Sequence, residues 1–259
     1  MNAPEGAPHS IALLGACGRM GRAVEGVLRN ASDLELLYRV DPALAHDPGP
    51  PRTAPDLDAL EGGAVAGIIE FSSPEGTRHA AATAARLGCA LVSGTTAIEE
   101  IGAAALREAS RSVPVCWAPN FSLGIPLLVR AVREAAARLP RDWQIEIVDV
   151  HHAGKRDAPS GTALRLGEAW REERGGEAIT GRSGSTGPRD PREIGLHAVR
   201  LGGVIGEHHV LLGGAGETIR TVHAVQDRSA FAAGAVEALR RILTRGPGWY
   251  EWEEILFGI

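Results

Sequence analysis

The chain has 259 residues, 44% of them hydrophobic and 23% charged, with a formal net charge of −5 at pH 7. These values are typical of a globular protein large enough for one large domain or two smaller ones. The negative charge argues against a nucleic-acid or anionic-membrane surface and favours work on a small molecule.

The cysteines and the N-terminal residues indicate the cellular compartment of the protein. Three cysteines stand at positions 17, 89 and 116, in apolar surroundings and without the spacing of metal ligands. This pattern predicts a reduced, cytoplasmic protein with no disulfide framework and no metal site. Residues 1–9 lack a basic stretch followed by an apolar one, so we expect neither a signal peptide nor a membrane span.

The first predicted strand, residues 10–14, leads into a glycine-rich turn and a helix predicted over residues 23–29. Gly15, Gly18 and Gly21 fall as G-x-x-G-x-x-G, with Cys17 where the usual dinucleotide motif has its middle glycine. Strand, glycine turn and helix predict the opening of a dinucleotide-binding fold.

A second strand is predicted over residues 34–40, and Asp41 stands at its end. An acid at this place accepts hydrogen bonds from the ribose hydroxyls of a dinucleotide. Asp41 also opens a stretch over residues 41–55 that is rich in turn residues, so a role as a turn residue is the alternative.

Strands and helices then alternate, with strands predicted over 65–71, 89–92 and 113–117 and helices over 74–87 and 98–111. Each strand ends in a small polar loop, at residues 72–74, 93–96 and 118–122. Because ligands of open parallel sheets bind at the carboxyl ends of the strands, we expect these loops to line the nicotinamide end of a dinucleotide site.

After Gly124 the pattern changes to a helix over 125–139 and to strands with fewer helices between them, over 143–151, 194–201, 206–212 and 218–225. We therefore predict an α/β chain. An N-terminal Rossmann-like parallel sheet, residues 1–123, precedes a second α+β domain on a mixed or antiparallel sheet, residues 124–230. The C-terminal segment 231–259, with a helix over 231–245 and an aromatic stretch over 249–257, is expected to pack back on the first domain.

Lys155 is the only lysine among the 27 Lys and Arg residues. Arginine replaces lysine where a solvated charge suffices, but not where a compact ammonium must fit a tight site or release a proton. Lys155 is therefore a candidate for chemistry, and it follows a predicted strand end together with His151 and His152. The alternative is that the two histidines are a hydrogen-bonded surface feature.

A Pro-Ser-Gly-Thr turn follows and opens a helix predicted over residues 162–174. Its start can offer hydroxyl and N–H groups to a carboxylate, from Ser160, Gly161 and Thr162. With Lys155 and His152 this suits a small dicarboxylate, although such a turn is also an ordinary N-cap. The stretch 179–191 is interpreted as a mobile loop whose Arg182 and Arg189 either clamp carboxylates or are solvated.

Over nearly its whole length the chain closely resembles the dihydrodipicolinate reductase family. The resemblance rests on G-x-x-G-R-M-G-R at 15–22, on Gly94-Thr95-Thr96, on Asn120-Phe121-Ser122 and above all on H-H-x-x-K-x-D-A-P-S-G-T-A at 151–163. It implies an NADH- or NADPH-dependent reduction of 4-hydroxy-tetrahydrodipicolinate to tetrahydrodipicolinate in the diaminopimelate route to lysine, by a cytoplasmic homotetramer.

The resemblance also implies roles for residues. His151 would be a proton donor or acceptor and Lys155 the proton donor, with His152, Gly161 and Thr162 binding the substrate. The dinucleotide would lie along Gly15, Ala16, Cys17, Gly18, Arg19, Met20, Asp41, Gly94, Thr95, Thr96, Ala118, Pro119, Asn120 and Phe121. Some members carry an arginine for the 2′-phosphate after the acidic residue, where this chain has Pro42, so we expect NADH to be used at least as well as NADPH. The alternative is that Arg39, two residues before Asp41, reaches such a phosphate.

Two other functions compete. The first is another two-domain Rossmann dehydrogenase of amino-acid metabolism, such as an aspartate-semialdehyde or homoserine dehydrogenase. An aspartate-semialdehyde dehydrogenase needs an activated cysteine, whereas Cys116 lies inside a predicted buried strand. A non-enzymatic NAD(H)-sensing regulator is the other, but it has no need of His151 and Lys155 beside a carboxylate site.

Overall fold

The computed structural model describes residues 7–258, which form two compact units. The first contains the described residues up to Ser122 and those from Arg228 onward, and the second is Leu123–Asp227. The predicted lack of a leader concerned residues 1–9, of which 1–6 lie outside the described residues. No helix within residues 7–258 is long and apolar enough to cross a membrane.

In chain order the strands are β1 (His9–Leu14), β2 (Leu34–Val40), β3 (Arg52–Ala54), β4 (Gly67–Glu70), β5 (Ala90–Ser93), β6 (Pro114–Trp117), β7 (Gln144–His151), β8 (Glu177–Thr180), β9 (Glu193–Arg200), β10 (Glu207–Gly213), β11 (Thr218–Ala224) and β12 (Gly248–Trp249). The helices are α1 (Arg19–Leu28), α2 (Pro74–Leu87), α3 (Glu99–Ala109), α4 (Gly124–Arg138), α5 (Gly161–Arg174), α6 (Ser229–Ile242) and α7 (Trp252–Phe257), with a 3-10 turn at Leu57–Ala59.

The first unit is built on a parallel sheet of seven strands in the order β12-β6-β5-β4-β1-β2-β3. Its central strands are continuous apolar runs because helices cover both faces. One apolar cluster joins the sheet to α1, α6 and α7, and the other joins it to α2 and α3. The strand order reverses between β1 and β4, and ligands of such sheets bind at the carboxyl ends of the strands beside that point.

The second unit is built on a mixed sheet of five strands in the order β11-β10-β7-β9-β8. The β10 strand is antiparallel to β11 and β7, whereas β7, β9 and β8 are parallel. Burial alternates along β7, and its buried side chains pack with α4 and α5 against one face of the sheet. The predicted fold class, a Rossmann-like sheet followed by an α+β domain, is confirmed.

Three local boundaries differ from the sequence-based predictions. Strand β3 lies near the end of the turn-rich stretch 41–55, and β8 takes the first two residues of the loop predicted over 179–191. Both are short strands at sheet edges, aligned by pairing with β2 and β9, so tertiary hydrogen bonds override a sequence rich in turn residues. The α1 helix begins at Arg19 instead of residue 23, because the glycine turn leads directly into it through an extended Gly18.

Two glycines test the packing of the first unit. A Cβ at Gly234 on α6 would sit inside the contact distance of the Phe121 carbonyl oxygen, whereas one at Gly26, exposed within α1, would meet nothing within 4 Å. We expect Gly234→Ala to lower the free energy of unfolding by about 2 kcal/mol. Gly26→Ala is expected to raise it by roughly 0.5–1 kcal/mol through helix propensity. Urea unfolding of both variants measures this, and equal stability of the two would contradict the packing described.

Candidate functional site

The glycine turn between β1 and α1 requires close backbone approach. Gly15 has a φ of +83°, and a Cβ there would collide with the carbonyl oxygen of Phe71. Its amide donates to Val40 O at 2.9 Å, which fixes the turn against the end of β2. The turn thus places the N-terminus of α1, with its free N–H groups and the Arg19 guanidinium, where a pyrophosphate binds in dinucleotide folds.

Asp41 stands at the end of β2, and its carboxylate is already engaged. The Cys17 amide donates to Asp41 Oδ2 at 3.0 Å, and the Ala43 amide donates to Oδ1 at 3.0 Å. The second contact is the turn role considered for Asp41, and the first ties this carboxylate to the glycine turn. Arg39, which could have met a 2′-phosphate, forms an ion pair with Glu25 at 3.3 Å.

Two cavities at the carboxyl ends of the strands collect most of the predicted dinucleotide residues. A cavity of about 480 Å³ is lined by Gly18, Arg19, Met20, Phe71, Ser72, Ser73, Pro74, Gly94, Thr95, Thr96 and Arg228. A smaller one of about 180 Å³ is lined by Met20, Phe71, Gly94, Pro119, Asn120, Phe121 and Phe231. The glycine turn, the helix N-terminus and these cavities fit a dinucleotide.

Five of the predicted residues line neither cavity: Gly15, Ala16, Cys17, Asp41 and Ala118. Gly15 and Asp41 shape the turn, and Ala118 lies in the core. Arg228 and Phe231 also line these cavities, although neither was predicted to be a site residue. They begin the first-unit segment that follows the second unit in the chain, so only the tertiary structure brings them to this edge of the sheet.

In the second unit, His151 ends β7 and Lys155 lies in the turn that follows. The turn is closed by the Lys155 amide, which donates to His152 O at 3.1 Å. Lys155 Nζ forms an ion pair with Asp157 Oδ1 at 2.8 Å, and its side chain stays 22% exposed. The ammonium is therefore held near the surface by a neighbouring carboxylate that leaves two of its three N–H groups for a ligand.

Asp149, fully buried on β7, holds this segment together. Its Oδ1 accepts from Arg200 Nη1 at 2.5 Å, its Oδ2 accepts from the Ser160 amide, and Arg200 Nη2 donates to Asp157 O at 2.6 Å. Burial alone would raise the pKa of Asp149, but the hydrogen bonds from Arg200 and Ser160 keep it below its usual value. Strand β9 and the start of α5 are thus tied to the strand that carries His151.

Ser160 caps α5, accepting from the Ala163 amide at 3.2 Å. The Nε2 atom of His208, from β10, lies 3.1 Å from Ser160 Oγ. The His208 ring meets that of His151 edge-on, with centroids 5.3 Å apart. No role was predicted for His208, which reaches this site from a strand 48 residues away from Ser160 in the sequence.

Burial favours the neutral form of both histidines. Burial lowers the pKa of His208 to about 4, with a further contribution from His151. Burial also lowers the pKa of His151, assisted by the positive charge of Lys155. The cations that lower the pKa of His151 are Lys155 and Arg200.

Arg182 and Arg189 both pair with the carboxylate of Glu146. Arg189 Nε donates to Glu146 Oε1 at 2.9 Å, and Arg182 Nη2 lies 3.0 Å from the same oxygen. His197 Nε2 lies 2.6 Å from Glu146 Oε2. Although burial opposes it, these contacts lower the pKa of Glu146 to about 2. The two arginines thus fasten the segment after β8 to the sheet.

Two other chemistries find no support in the described residues. Cys116 is fully buried, and burial raises the pKa of its thiol, so it is not the activated nucleophile that an aspartate-semialdehyde dehydrogenase requires. Within residues 7–258, no three His, Cys, Asp or Glu side chains are grouped to hold a metal ion.

Comparison with known proteins gives one family. The family model described as "Dihydrodipicolinate reductase, N-terminus" matches residues 9–121, and "Dihydrodipicolinate reductase, C-terminus" matches residues 124–256. The 4-hydroxy-tetrahydrodipicolinate reductase of Nitrosomonas europaea is 37% identical over 96% of this chain and 98% of its own length. That of Thermomicrobium roseum is 43% identical over 95% and 98%.

Solved structures agree at the level of the fold. A dipicolinate-bound dihydrodipicolinate reductase from Paenisporosarcina sp. TG-14 superposes with a TM-score of 0.75 at 23% identity, covering 94% of this chain and 97% of that one. An aspartate semialdehyde dehydrogenase from Vibrio cholerae reaches a TM-score of 0.56 at 12% identity. Because both family models match in chain order and the relatives span nearly all of its length, the protein belongs to the dihydrodipicolinate reductase family.

Proposed function

We propose that the protein is a cytoplasmic enzyme that uses NADH or NADPH to reduce 4-hydroxy-tetrahydrodipicolinate to tetrahydrodipicolinate, in the diaminopimelate route to lysine. The observation that carries the proposal is the chain's single lysine in the turn between His151 and the N-terminus of α5, held in place by the buried Asp149. Relatives with this name, aligned over almost the whole chain, support it.

The second unit would bind the substrate and supply the proton. Gly161 and Thr162, in the first turn of α5, would bind one carboxylate of the substrate, and His152 would add a further donor. Ser160 would support them by capping the helix, because its amide already donates to Asp149. Loss of the substrate's 4-hydroxyl group as water gives a conjugated imine, and hydride addition to this imine places negative charge at the far end of the conjugated system. The Lys155 ammonium can stabilise that charge and then donate a proton from Nζ. His151, neutral because it is buried, is suited to accept a proton.

The first unit would hold the dinucleotide, whose reduced nicotinamide supplies the hydride. The N-terminus of α1 and Arg19 are suited to its pyrophosphate. The carboxylate of Asp41 is suited to the 2′- and 3′-hydroxyls of its adenosine ribose and would repel a 2′-phosphate. Pro42 offers no charge to offset that repulsion, and Arg39 is paired with Glu25.

A coupled assay tests both the reaction and the choice of coenzyme. With the product of the preceding synthase as substrate, we expect loss of NADH absorbance that depends on the enzyme. We also expect kcat/KM for NADH to be at least equal to that for NADPH. No turnover with either coenzyme would contradict the proposed function. A preference for NADPH above roughly tenfold, about 1.4 kcal/mol, would contradict only the role of Asp41.

Two variants make the coenzyme test specific. Pro42→Arg places a cation beside Asp41 and is expected to raise kcat/KM for NADPH by roughly fivefold or more, with little change for NADH. Arg39→Ala is the matched control, because Arg39 is paired with Glu25 at 3.3 Å. The coenzyme ratio should not change in this variant.

Lys155→Ala is expected to lower kcat by roughly 10²- to 10⁴-fold, the contribution of a positioned acid. Lys155→Arg is not expected to restore it, because a guanidinium does not release a proton near neutral pH and is broader than an ammonium. Steady-state kinetics measure both. Arg156→Ala, at the exposed neighbouring position, is the control and should keep near-normal kcat. Near-normal kcat in Lys155→Arg would show that Lys155 acts only through its positive charge and not as a proton donor.

We further propose a homotetramer that assembles through the second sheet. Both α4 and α5 pack on one face of that sheet. The side chains that alternate to the opposite face include Val148 on β7, Val199 on β9 and Val222 on β11, with Val199 40% and Val222 54% exposed. Apolar side chains on an open sheet face are typical of a surface covered by another copy of the chain.

The assembly is tested by the mass in solution. Light scattering of the wild type is expected to give the molar mass of four chains. Val222→Arg places a charge on the open face and should reduce the mass to that of a dimer or monomer. Ile101→Arg, at a position on α3 that is 66% exposed, is the control and should leave the mass unchanged. A four-chain mass in Val222→Arg would place the interface elsewhere.

A further inference from the structure

Glu70, the last residue of β4, is a fully buried carboxylate in the first unit. Its Oε1 accepts from the Ser72 amide and the Ser72 hydroxyl, both at 2.6 Å, and from the Thr95 hydroxyl at 2.5 Å. Its Oε2 accepts from the Ser93 hydroxyl at 2.6 Å and the Thr77 hydroxyl at 3.0 Å. These donors come from the loop after β4, the first turn of α2, the end of β5 and the loop after β5.

These donors within residues 7–258 are one amide and four hydroxyls, all uncharged. A buried carboxylate is expensive even when it is fully hydrogen-bonded, and neutral or apolar residues could join the same loops at less cost. The position of Glu70 explains its presence. It lies directly beneath Ser72 and Thr95, two of the residues that line the cavity of about 480 Å³.

The Glu70 carboxylate also sets the orientation of the hydroxyl hydrogens. The Ser72 amide, which can only donate, binds Oε1 at 2.6 Å beside the Ser72 and Thr95 hydroxyls, so these hydroxyls direct their hydrogens at the same oxygen. Because the Ser72 and Thr95 hydroxyls donate their hydrogens to Glu70, they can only accept hydrogen bonds from a ligand in the cavity. Thr95 Oγ1 already accepts from the Ser72 amide at 2.9 Å, which shows its lone pairs in that role.

We propose that Glu70 is a positioning residue for the dinucleotide: it fixes the Ser72 and Thr95 hydroxyls as acceptors that recognise the carboxamide N–H of the nicotinamide ring. The proposal rests on the proposed use of NADH or NADPH and adds how this chain selects the head group. A ligand whose carboxamide is replaced by an acetyl group has the same shape but no N–H to donate, and it leaves these acceptors unpaired.

The experiment compares the Kd of NADH with that of reduced 3-acetylpyridine adenine dinucleotide, by fluorescence titration of the purified full chain without substrate. The wild type is expected to prefer NADH by roughly tenfold, the value of one hydrogen bond to a buried acceptor. Glu70→Gln keeps the size of the side chain, but its amide donates to a neighbouring hydroxyl and releases that hydrogen toward the cavity. The preference should then fall to about threefold or less.

Two further variants separate positioning from structural support. Thr77→Val removes a donor to the same carboxylate, but Thr77 is not among the residues that line the cavity. We expect it to lower the melting temperature while keeping the wild-type preference. Ser72→Ala, at an exposed position, removes one acceptor and should weaken the preference with Glu70 intact. This variant carries the test if Glu70→Gln fails to fold.

The outcomes are distinct. An undiminished preference for NADH in Glu70→Gln, or in Ser72→Ala when the Gln variant does not fold, overturns the role of Glu70 and leaves the proposed function standing. Equal binding of both dinucleotides by the wild type also overturns the role of Glu70 and leaves the proposed function standing. A wild type that binds neither overturns the dinucleotide site and this proposal with it. Loss of the preference in Thr77→Val as well would show that the network acts only through stability.

Discussion

The buried Asp149 carboxylate is the contact on which the second unit's candidate site depends. It joins three elements that lie far apart in the sequence: β7, which carries it, β9 through Arg200, and the start of α5 through the Ser160 amide. Removing a carboxylate from water is unfavourable, and such an ion pair adds little stability over an apolar replacement. The arrangement is better explained by the geometry that it imposes, because it fixes both ends of the turn that carries Lys155.

The same contact sets the distribution of charge. Arg200 is neutralised by Asp149, and Lys155 is paired with the more exposed Asp157, so the ammonium can exchange its partner for a substrate carboxylate. The buried imidazoles of His151 and His208 stay neutral, because burial lowers their pKa values and the nearby cations act in the same direction. In the proposed function, this arrangement keeps the proton donor, Lys155, separate from the proton acceptor, His151.

The first unit uses a buried carboxylate in a different way. Glu70 has hydroxyls where Asp149 has a guanidinium, so it orients hydrogen atoms instead of balancing a charge. Both carboxylates stand at or near the end of a buried strand, and both reach the loop or turn that follows it. In each unit the rigid strand carries the acid, and the acid in turn orders the more irregular segment that carries the candidate site.

Local patterns in the sequence were sufficient for much of this protein. The glycine turn, the strand alternation up to β6, the lone lysine after His151 and His152, and the N-cap at Ser160 are each contained within about a dozen residues, and periodicity and turn chemistry act over that range. The extent of α2 is likewise set locally, by Ser73 and Pro74 at its start and Gly88 at its end. Assignment to the family needed the order of the motifs along the chain as well.

The tertiary structure alone decided which distant partners each side chain meets. Arg182 and Arg189 bind Glu146 at sequence separations of 36 and 43 residues, a partner that no local pattern indicated. The contacts from Ser160 to His208 and from Glu70 to Thr95 span 48 and 25 residues. The edge strands β3 and β8 exist only because β2 and β9 lie beside them. Sequence determines such contacts through the packing of the whole sheet, so no local pattern reveals them.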